Sequence, residues 1–327
     1  MTRRVLLHFT RRMSNLRQQE SPYTGTSVRG WGETAMQPQE GLFHSPGAFS
    51  GVAVLRLSRS VALPQLREVV SSIHEELSTT QGLNLVLGLE PALLPEVPVR
   101  PALLPREGPT ARFPSSQSHV LVHVSTGNRE LLLESLRRVL ALSKGVLSLE
   151  EELLGGRIGE GRDAFGFRDG LLRPTREHVR HAAIVPSGPL AGASWLLYLR
   201  FQQDLERFGR LQPRAQANVV GRTRDGELVV DAPAEAHILR ARASGAGENH
   251  LLIRRGFPFR QGGEEGLAFV AAAADPDSYA RSLDSLLGTG GQTPDALLRY
   301  ATAVGGGLYL APPRGWFHTV SLQEALS

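Results

Sequence analysis

Apolar positions along this chain fall into two rhythms, short runs and a three-to-four-residue period, and the order of these rhythms predicts an architecture. The segment Gly51-Val52-Ala53-Val54-Leu55-Arg56-Leu57 is an apolar run bounded by Ser58 and Arg59, which predicts a buried strand. From Leu63 to Leu77 the residues Leu66, Val69, Val70, Ile73 and Leu77 recur at helical spacing. Strands are expected at 83–88 and 119–124, a helix at 131–142 and a short strand at 146–149, while the proline-rich stretch 90–117 reads as a long loop. Strand, helix, strand, strand, helix, strand is the ferredoxin-like order. A second pass follows, with strands at 195–201, 267–272 and 307–311 and helices at 203–211 and 276–287.

The expected fold class is therefore α+β, with two ferredoxin-like halves (tandem α+β sandwiches with antiparallel sheets) in one chain. Residues 1–46 are polar, show no sustained period and are expected to form an irregular arm. The N-terminal half would span 47–150, a connecting region 151–192, and the C-terminal half 193–327. Such an architecture serves sensors, nucleic-acid binders and enzymes alike, so the function has to be read from the side chains.

Composition narrows the choices. The chain has 327 residues, with 36 basic and 32 acidic side chains and a formal charge of +4. The arginines are scattered rather than clustered, which argues against a nucleic-acid surface. There is no cysteine, so thiolate metal sites, iron–sulfur clusters and a cysteine nucleophile are excluded, and any metal must be held by His, Asp, Glu, Tyr or Met. The pairs Arg3-Arg4 and Arg11-Arg12 lack the apolar stretch that an export signal requires, and no run approaches the length of a membrane span. A cytoplasmic protein with no membrane and no nucleic-acid partner is expected.

Several segments hold candidate chemistry. In Phe165-Gly166-Phe167-Arg168-Asp169-Gly170, glycines flank an acid in a connecting loop, an arrangement that aims a carboxylate or simply makes an Asp-Gly turn. His119 and His123 share one strand face, and His178 and His181 stand three apart. Each spacing suits a metal pair but more commonly marks ordinary histidines. His237 and His250 fall in what reads as a long loop before the strand at Leu267. Leu251 to Phe259 sets Arg254 and Arg255 among apolar residues, where a guanidinium is either partly buried or solvated.

Taken in order, Phe165–Gly170, Gln216–Arg222, His237 with Arg240, Ile253–Gly256, Gly266–Val270 and Tyr300–Pro313 resemble the dye-decolorising (DyP-type) heme peroxidase family over residues 48–327. The element Gly166-Phe167-Arg168-Asp169-Gly170 matches that family's Gly-x-x-Asp-Gly motif. The resemblance implies one heme b (iron protoporphyrin IX) per chain, held in the C-terminal half with His237 as iron ligand. It places Asp169 as the acid above the heme and makes Arg254, rather than Arg255, the distal arginine and a heme contact. Leu267 and Phe269 would line the heme cavity, with Arg222 and Gly170 as further cofactor-binding residues. The implied activity is reduction of hydrogen peroxide coupled to oxidation of bulky or aromatic small-molecule donors. Trp195, Tyr198, Tyr300 and Trp316 are candidates for surface aromatics that relay electrons, although plain packing is the commoner reason for such residues.

Departures from the family pattern carry expectations of their own. Ala236 stands before His237 where a serine is usual, and Arg299 stands before Tyr300 where an acid usually holds the histidine ring. Without that acid the imidazole would donate less to the iron, unless Asp295 or a backbone carbonyl substitutes. The chain stops close after the last predicted element, so no tail for targeting an encapsulating shell is expected; association into a homo-oligomer is left open. Two other readings use the same sequence: a heme-handling protein that releases iron, and a cofactor-free ferredoxin-like binding module.

Overall fold

The computed structural model describes residues 36–59, 61–98, 102–159, 161–169, 174–242 and 252–318. The first part builds β1 (Phe49–Leu57), α1 (Leu63–Ser78), β2 (Leu83–Leu89), the short strands β3 (Arg106–Glu107) and β4 (Arg112–Phe113), β5 (Val120–Thr126), α2 (Arg129–Leu142) and β6 (Leu147–Gly156). There follow α3 (Arg176–Ala183), β7 (Ser194–Gln203), α4 (Leu205–Gly209), α5 (Pro213–Val220) and α6 (His237–Arg242). The last part holds β8 (Ile253–Arg254), β9 (Phe257–Gln261), β10 (Glu264–Ala273), α7 (Asp277–Leu287), β11 (Ala301–Ala311) and α8 (Arg314–His318). Of the expected N-terminal arm, residues 36–46 contain one 3-10 turn, Glu40–Leu42, and residues 1–35 lie outside the described residues. The C-terminal residues on which the targeting-tail expectation falls, 319–327, also lie outside them.

The expected α+β class with antiparallel strands is what the chain adopts, but the strands do not stay in two sheets. Nine of them form one sheet in the order β7-β11-β2-β5-β1-β6-β9-β10-β8, and a further β7–β10 pairing bends the row back on itself into a barrel-like ring. Two seams join the first set of strands to the second: Leu310 faces Leu89 across β11–β2, and Gly155 faces Phe259 across β6–β9. Each seam satisfies backbone groups that separate sheets would leave as open edges. The β6–β9 seam also depends on a bare backbone, because a Cβ on Gly155 would lie 2.1 Å from the Pro258 carbonyl oxygen.

Burial alternates around the ring as strand geometry requires. Val52, Val54, Leu121, Leu196, Tyr198, Ala268, Val270 and Tyr309 form one apolar cluster, while their neighbours Ala53, Leu55, Trp195, Leu197, Leu199 and Ala271 belong to another. The second cluster includes Leu66, Val70 and Ile73 of α1, Leu132 and Leu136 of α2, and Tyr279 and Leu283 of α7, so it is the outer face. The first is the inner face, joined by Leu42 and by Val179, Ala182 and Ala183 of α3. With both faces covered, strands such as β1 need no polar alternation, which explains their unbroken apolar runs. Among the described residues no helix is long and apolar enough to cross a membrane.

The helix α8 closes over α1. Arg67 donates to the Trp316 carbonyl at 2.8 Å and lies 4.5 Å over the Trp316 ring, and His74 stacks flat on Phe317 at 4.1 Å. Burial, with smaller contributions from the nearby His318 and Arg314, pulls His74 down from 6.5 to about 4. The unfolded chain therefore binds this proton first, so the stabilisation is full above pH 6.5 and is lost as pH falls from 6.5 towards 4. Each such histidine contributes at most about 3 kcal/mol. Urea unfolding at pH 7 and pH 4 should show a large acid destabilisation, and His74→Phe should flatten part of it. An unchanged pH slope in that variant would contradict the assignment.

Candidate active site

His237 is the first residue of α6, not part of a long loop as the sequence suggested. Its Nδ1 lies 2.6 Å from Asp295 Oδ2, and a carboxylate only accepts, so Nδ1 carries the proton and Nε2 presents a lone pair. The two side chains differ in exposure: 38% for His237 and 1% for Asp295. Asp295 caps a 3-10 turn, Ala296–Arg299, with Oδ1 accepting from Leu297 N at 2.8 Å. Its own N–H donates to Leu286 O, and the next residue donates to Glu235 O. A buried carboxylate held by backbone on both sides therefore fixes the imidazole's orientation. α6 is anchored in turn: Ser285 donates to Arg240 O at 2.8 Å, and Arg240 Nη1 donates to Gln292 Oε1 at 3.0 Å.

Asp169 sits at the end of a tightly folded loop. Its backbone N–H donates to Gly161 O, Arg168 N donates to Arg224 O, and Phe167 N donates to Asp163 Oδ1. Gly166 supplies the left-handed turn at φ +86°. The Asp169 side chain is 43% exposed, and its Oδ2 lies 4.0 Å from Arg157 Nε. Asp163 lies deeper; burial pushes its carboxyl up, the Asp169 charge adds to that, and Arg222 opposes it. Arg222 thus faces Asp163, and its backbone bridges to Leu228.

Arg254 and Arg255 diverge from β8. Arg254 is exposed, pairs with Ala271 of β10, and its Nη2 donates to Ala241 O on α6 at 3.2 Å, which ties it to the helix that carries His237. Arg255 is partly buried, and its Nη2 donates to Leu42 O. Leu267 and Phe269 of β10 are half-buried on the outer face, opposite Ala268 and Val270. Gly170 and His250 lie outside the described residues.

A family model described as "Dyp-type peroxidase, C-terminal" matches residues 160–315, which contain His237, Asp169, Arg254 and Asp295. Over that span, just under half of its length, the chain is similar to DyP-type peroxidases. A dye-decolorizing peroxidase of Mycolicibacterium paratuberculosis is 29% identical over 226 residues, covering 65% of this chain and 64% of that protein. One from Mycobacterium tuberculosis is 25% identical over 214 residues, again covering 64% of the relative. The chain thus aligns with under two thirds of the length of these curated relatives. Among solved structures, a dye-decolorizing protein from V. cholerae superimposes with a TM-score of 0.75 at 27% identity, covering 87% of this chain and 98% of that one. A variant of Rhodococcus jostii RHA1 DypB in complex with heme gives a TM-score of 0.78 at 23% identity, covering 86% of this chain and 98% of that one, and shows the fold alone.

Three points that the sequence left open are answered by the fold. The position before Tyr300 does not leave His237 without an acid: Asp295, four residues before Arg299, is delivered by the 3-10 turn, while Arg299 faces Glu235 at 4.0 Å. Trp195, Tyr198, Tyr300 and Trp316 are all buried, so none is a surface aromatic, because the ring and its covering helices enclose them. His119 and His123 do not make a metal pair. His119 accepts from Leu57 N, His123 is buried, and no group of three metal-binding side chains occurs among the described residues. Arg157 and Asp163 went unremarked in the sequence, although both lie in the segment leading to the Gly-x-x-Asp-Gly motif.

Gly221 links the loop around Arg222 to His237. It ends α5 at φ +88°, and a Cβ there would lie 2.3 Å from Ile238 Cγ2. Gly221→Ala should therefore displace α6 and cost about 1–3 kcal/mol in urea unfolding. Gly209→Ala meets nothing within 4 Å and should stay within about 0.5 kcal/mol of the parent. Equal effects of the two changes would contradict this account of α6.

Proposed function

We propose that the chain is a heme-dependent peroxidase that reduces hydrogen peroxide and oxidises bulky or aromatic small-molecule donors, with one heme b per chain. The observation that carries this reading is the state of His237: Nδ1 is committed to the buried Asp295, and Nε2 is left with a lone pair on a partly exposed ring. The donor set fits the group. Among the described residues no three metal-binding side chains converge, so a bare ion has no all-protein cage, whereas heme would carry its own iron and need one imidazole from the chain. Leu267 and Phe269 add half-buried apolar surface on β10 for a flat macrocycle.

His237 would hold the iron through Nε2, and the Asp295 carboxylate would raise the basicity of the ring and keep its tautomer. When bound, heme would supply a redox-active iron at which peroxide can be reduced. Asp169 takes a proton at a carboxylate oxygen from one peroxide oxygen and returns it to the other, as general base and then acid. Arg254 supplies a fixed positive charge where negative charge develops as the O–O bond breaks. Arg157 steadies Asp169 from 4.0 Å. Arg222 acts through Asp163, which holds the motif loop from beneath. Gly170 is assigned with the motif as a cofactor contact. Within the ring we retain two ferredoxin-like units, 47–150 and 193–327, joined by 151–192. The repeated strand–helix order supports this division.

Asp169→Asn should bind hemin one to one, as the parent does, and lose about 10²–10⁴-fold in turnover with hydrogen peroxide. Arg254→Leu should lose about 10²–10³-fold. Full turnover in both variants would overturn their roles. A parent chain that binds hemin but shows no peroxidase turnover would point instead to heme handling. Asp295→Asn tests the ligand assignment separately: hemin titration should show about 10–100-fold weaker binding, and unchanged affinity would contradict it.

A further inference from the structure

Arg255 takes no part in the peroxide chemistry, and its surroundings are unusual for a partly buried cation. Its backbone N–H donates to Val270 O, and its guanidinium reaches carbonyls only, Nη1 to Arg254 O at 3.2 Å and Nη2 to Leu42 O at 3.3 Å. Its Nε is buried and donates to nothing. No carboxylate pairs with it among the described residues, and the charge that acts on it is another cation, Arg157. Burial, with that neighbour, pulls its pKa down to about 10.

The inner face of the ring beside it holds further unspent polar groups. Phe257, two residues along, stacks on His123 at 6.2 Å with the rings nearly parallel. His123 is 5% exposed and its Nε2 has no partner. Burial, and then the Arg255 charge, hold it neutral by pulling it down to about 4. Ser50 is also buried, with Oγ unpartnered. The β1–β5 register sets Val52 opposite His123 and Ser50 opposite Ser125, so Ser50 and His123 are diagonal neighbours on one face.

Buried cations are ordinarily paired and buried polar atoms ordinarily satisfied. Here a guanidinium N–H, an imidazole nitrogen and a hydroxyl are all unspent, with no acid among the described residues to receive them. We propose that this part of the ring's inner face binds a compact monovalent anion, a halide or a formate-sized carboxylate, through Arg255, His123 and Ser50. His123 donates from Nε2 in its neutral form, so the anion needs no second cation. Leu42 and Phe257 are buried in the same inner cluster, so the proposal is confined to a ligand of a few atoms.

Thermal melting of the purified chain tests this with chloride and formate as probes, at constant ionic strength made up with a bulky sulfonate. Melting temperature should rise by roughly 2–4 °C per tenfold increase in either probe above its Kd. The rise should vanish in Arg255→Met and in His123→Phe, two variants that need not share a folding defect. Superimposed melts in chloride, formate and sulfonate would overturn the proposal, as would an anion response that survives both substitutions. The carboxylate has two sources, a free ion and a porphyrin side chain, and only this distinction rests on the heme reading. Loss of the response on adding hemin, but not hemin dimethyl ester, assigns it to the porphyrin. A response that persists with both assigns it to a free ion.

Discussion

Strand β7 is hydrogen-bonded on both sides, to β10 over Trp195–Gln202 and to β11 over Ser194–Gln203, and the rest of the structure follows from that double pairing. It closes the sheet, which leaves each ring strand with two partners and divides the side chains into an inner and an outer set. The inner set must fill a fixed volume, so it alternates large residues such as Tyr198 and Tyr309 with Ala268 and Ala272. The outer set needs a cover, supplied by α1, α2 and α7. The buried Tyr279 of α7 lies within 2.8 Å of the carbonyls of both Trp195 and Ala271, and so spans the β7–β10 seam itself. The candidate site is assembled on the same strands, with Leu267 and Phe269 on β10 and Arg254 on the short strand paired to it.

Charge is handled differently at each level of burial. Asp295 is enclosed and has its imidazole and backbone partners, which makes a buried carboxylate tolerable and a misoriented His237 costly. Asp169, by contrast, is 43% exposed, and Arg157 Nε lies 4.0 Å from its carboxylate. Arg255 departs from this scheme as a partly buried cation without an acid, which is why it stands out as a binding group rather than a structural one.

Much of the fold was legible from hydrophobic period alone: β1, β2, β5, β7 and β10 and helices α1, α2 and α7 fall where the runs and the helical spacing put them. Where the reading failed, the causes are local. The strand expected at 146–149 continues to Gly156, where Glu150 pairs with Arg56 and Glu151 takes Tyr198 and Arg200, so two of its three consecutive acids have side-chain partners. β9 was hidden by Pro258, which removes a donor and lowers any strand expectation. α6 has six residues, too few for a period, and its preceding Ala236 offers no side-chain cap. Ring closure was illegible because the β7–β10 pairing joins residues more than sixty apart, which leaves no mark on local pattern. At the site, His237, Asp169 and Arg254 were named from the motifs. Asp295 was named only as one of two substitutes for the acid absent at position 299, and the 3-10 turn it caps is what carries it to the histidine.

Hemin titration followed by absorption spectroscopy tests the central claim most directly, with the parent chain compared with His237→Ala before and after one equivalent of hydrogen peroxide. The account predicts a saturating Soret band at one hemin per parent chain, replaced at once by the spectrum of an oxidised heme when peroxide is added. In His237→Ala the band should be weak or shifted and slow to respond. A parent chain with no Soret band, or one whose band and peroxide response are unchanged by loss of His237, would contradict it.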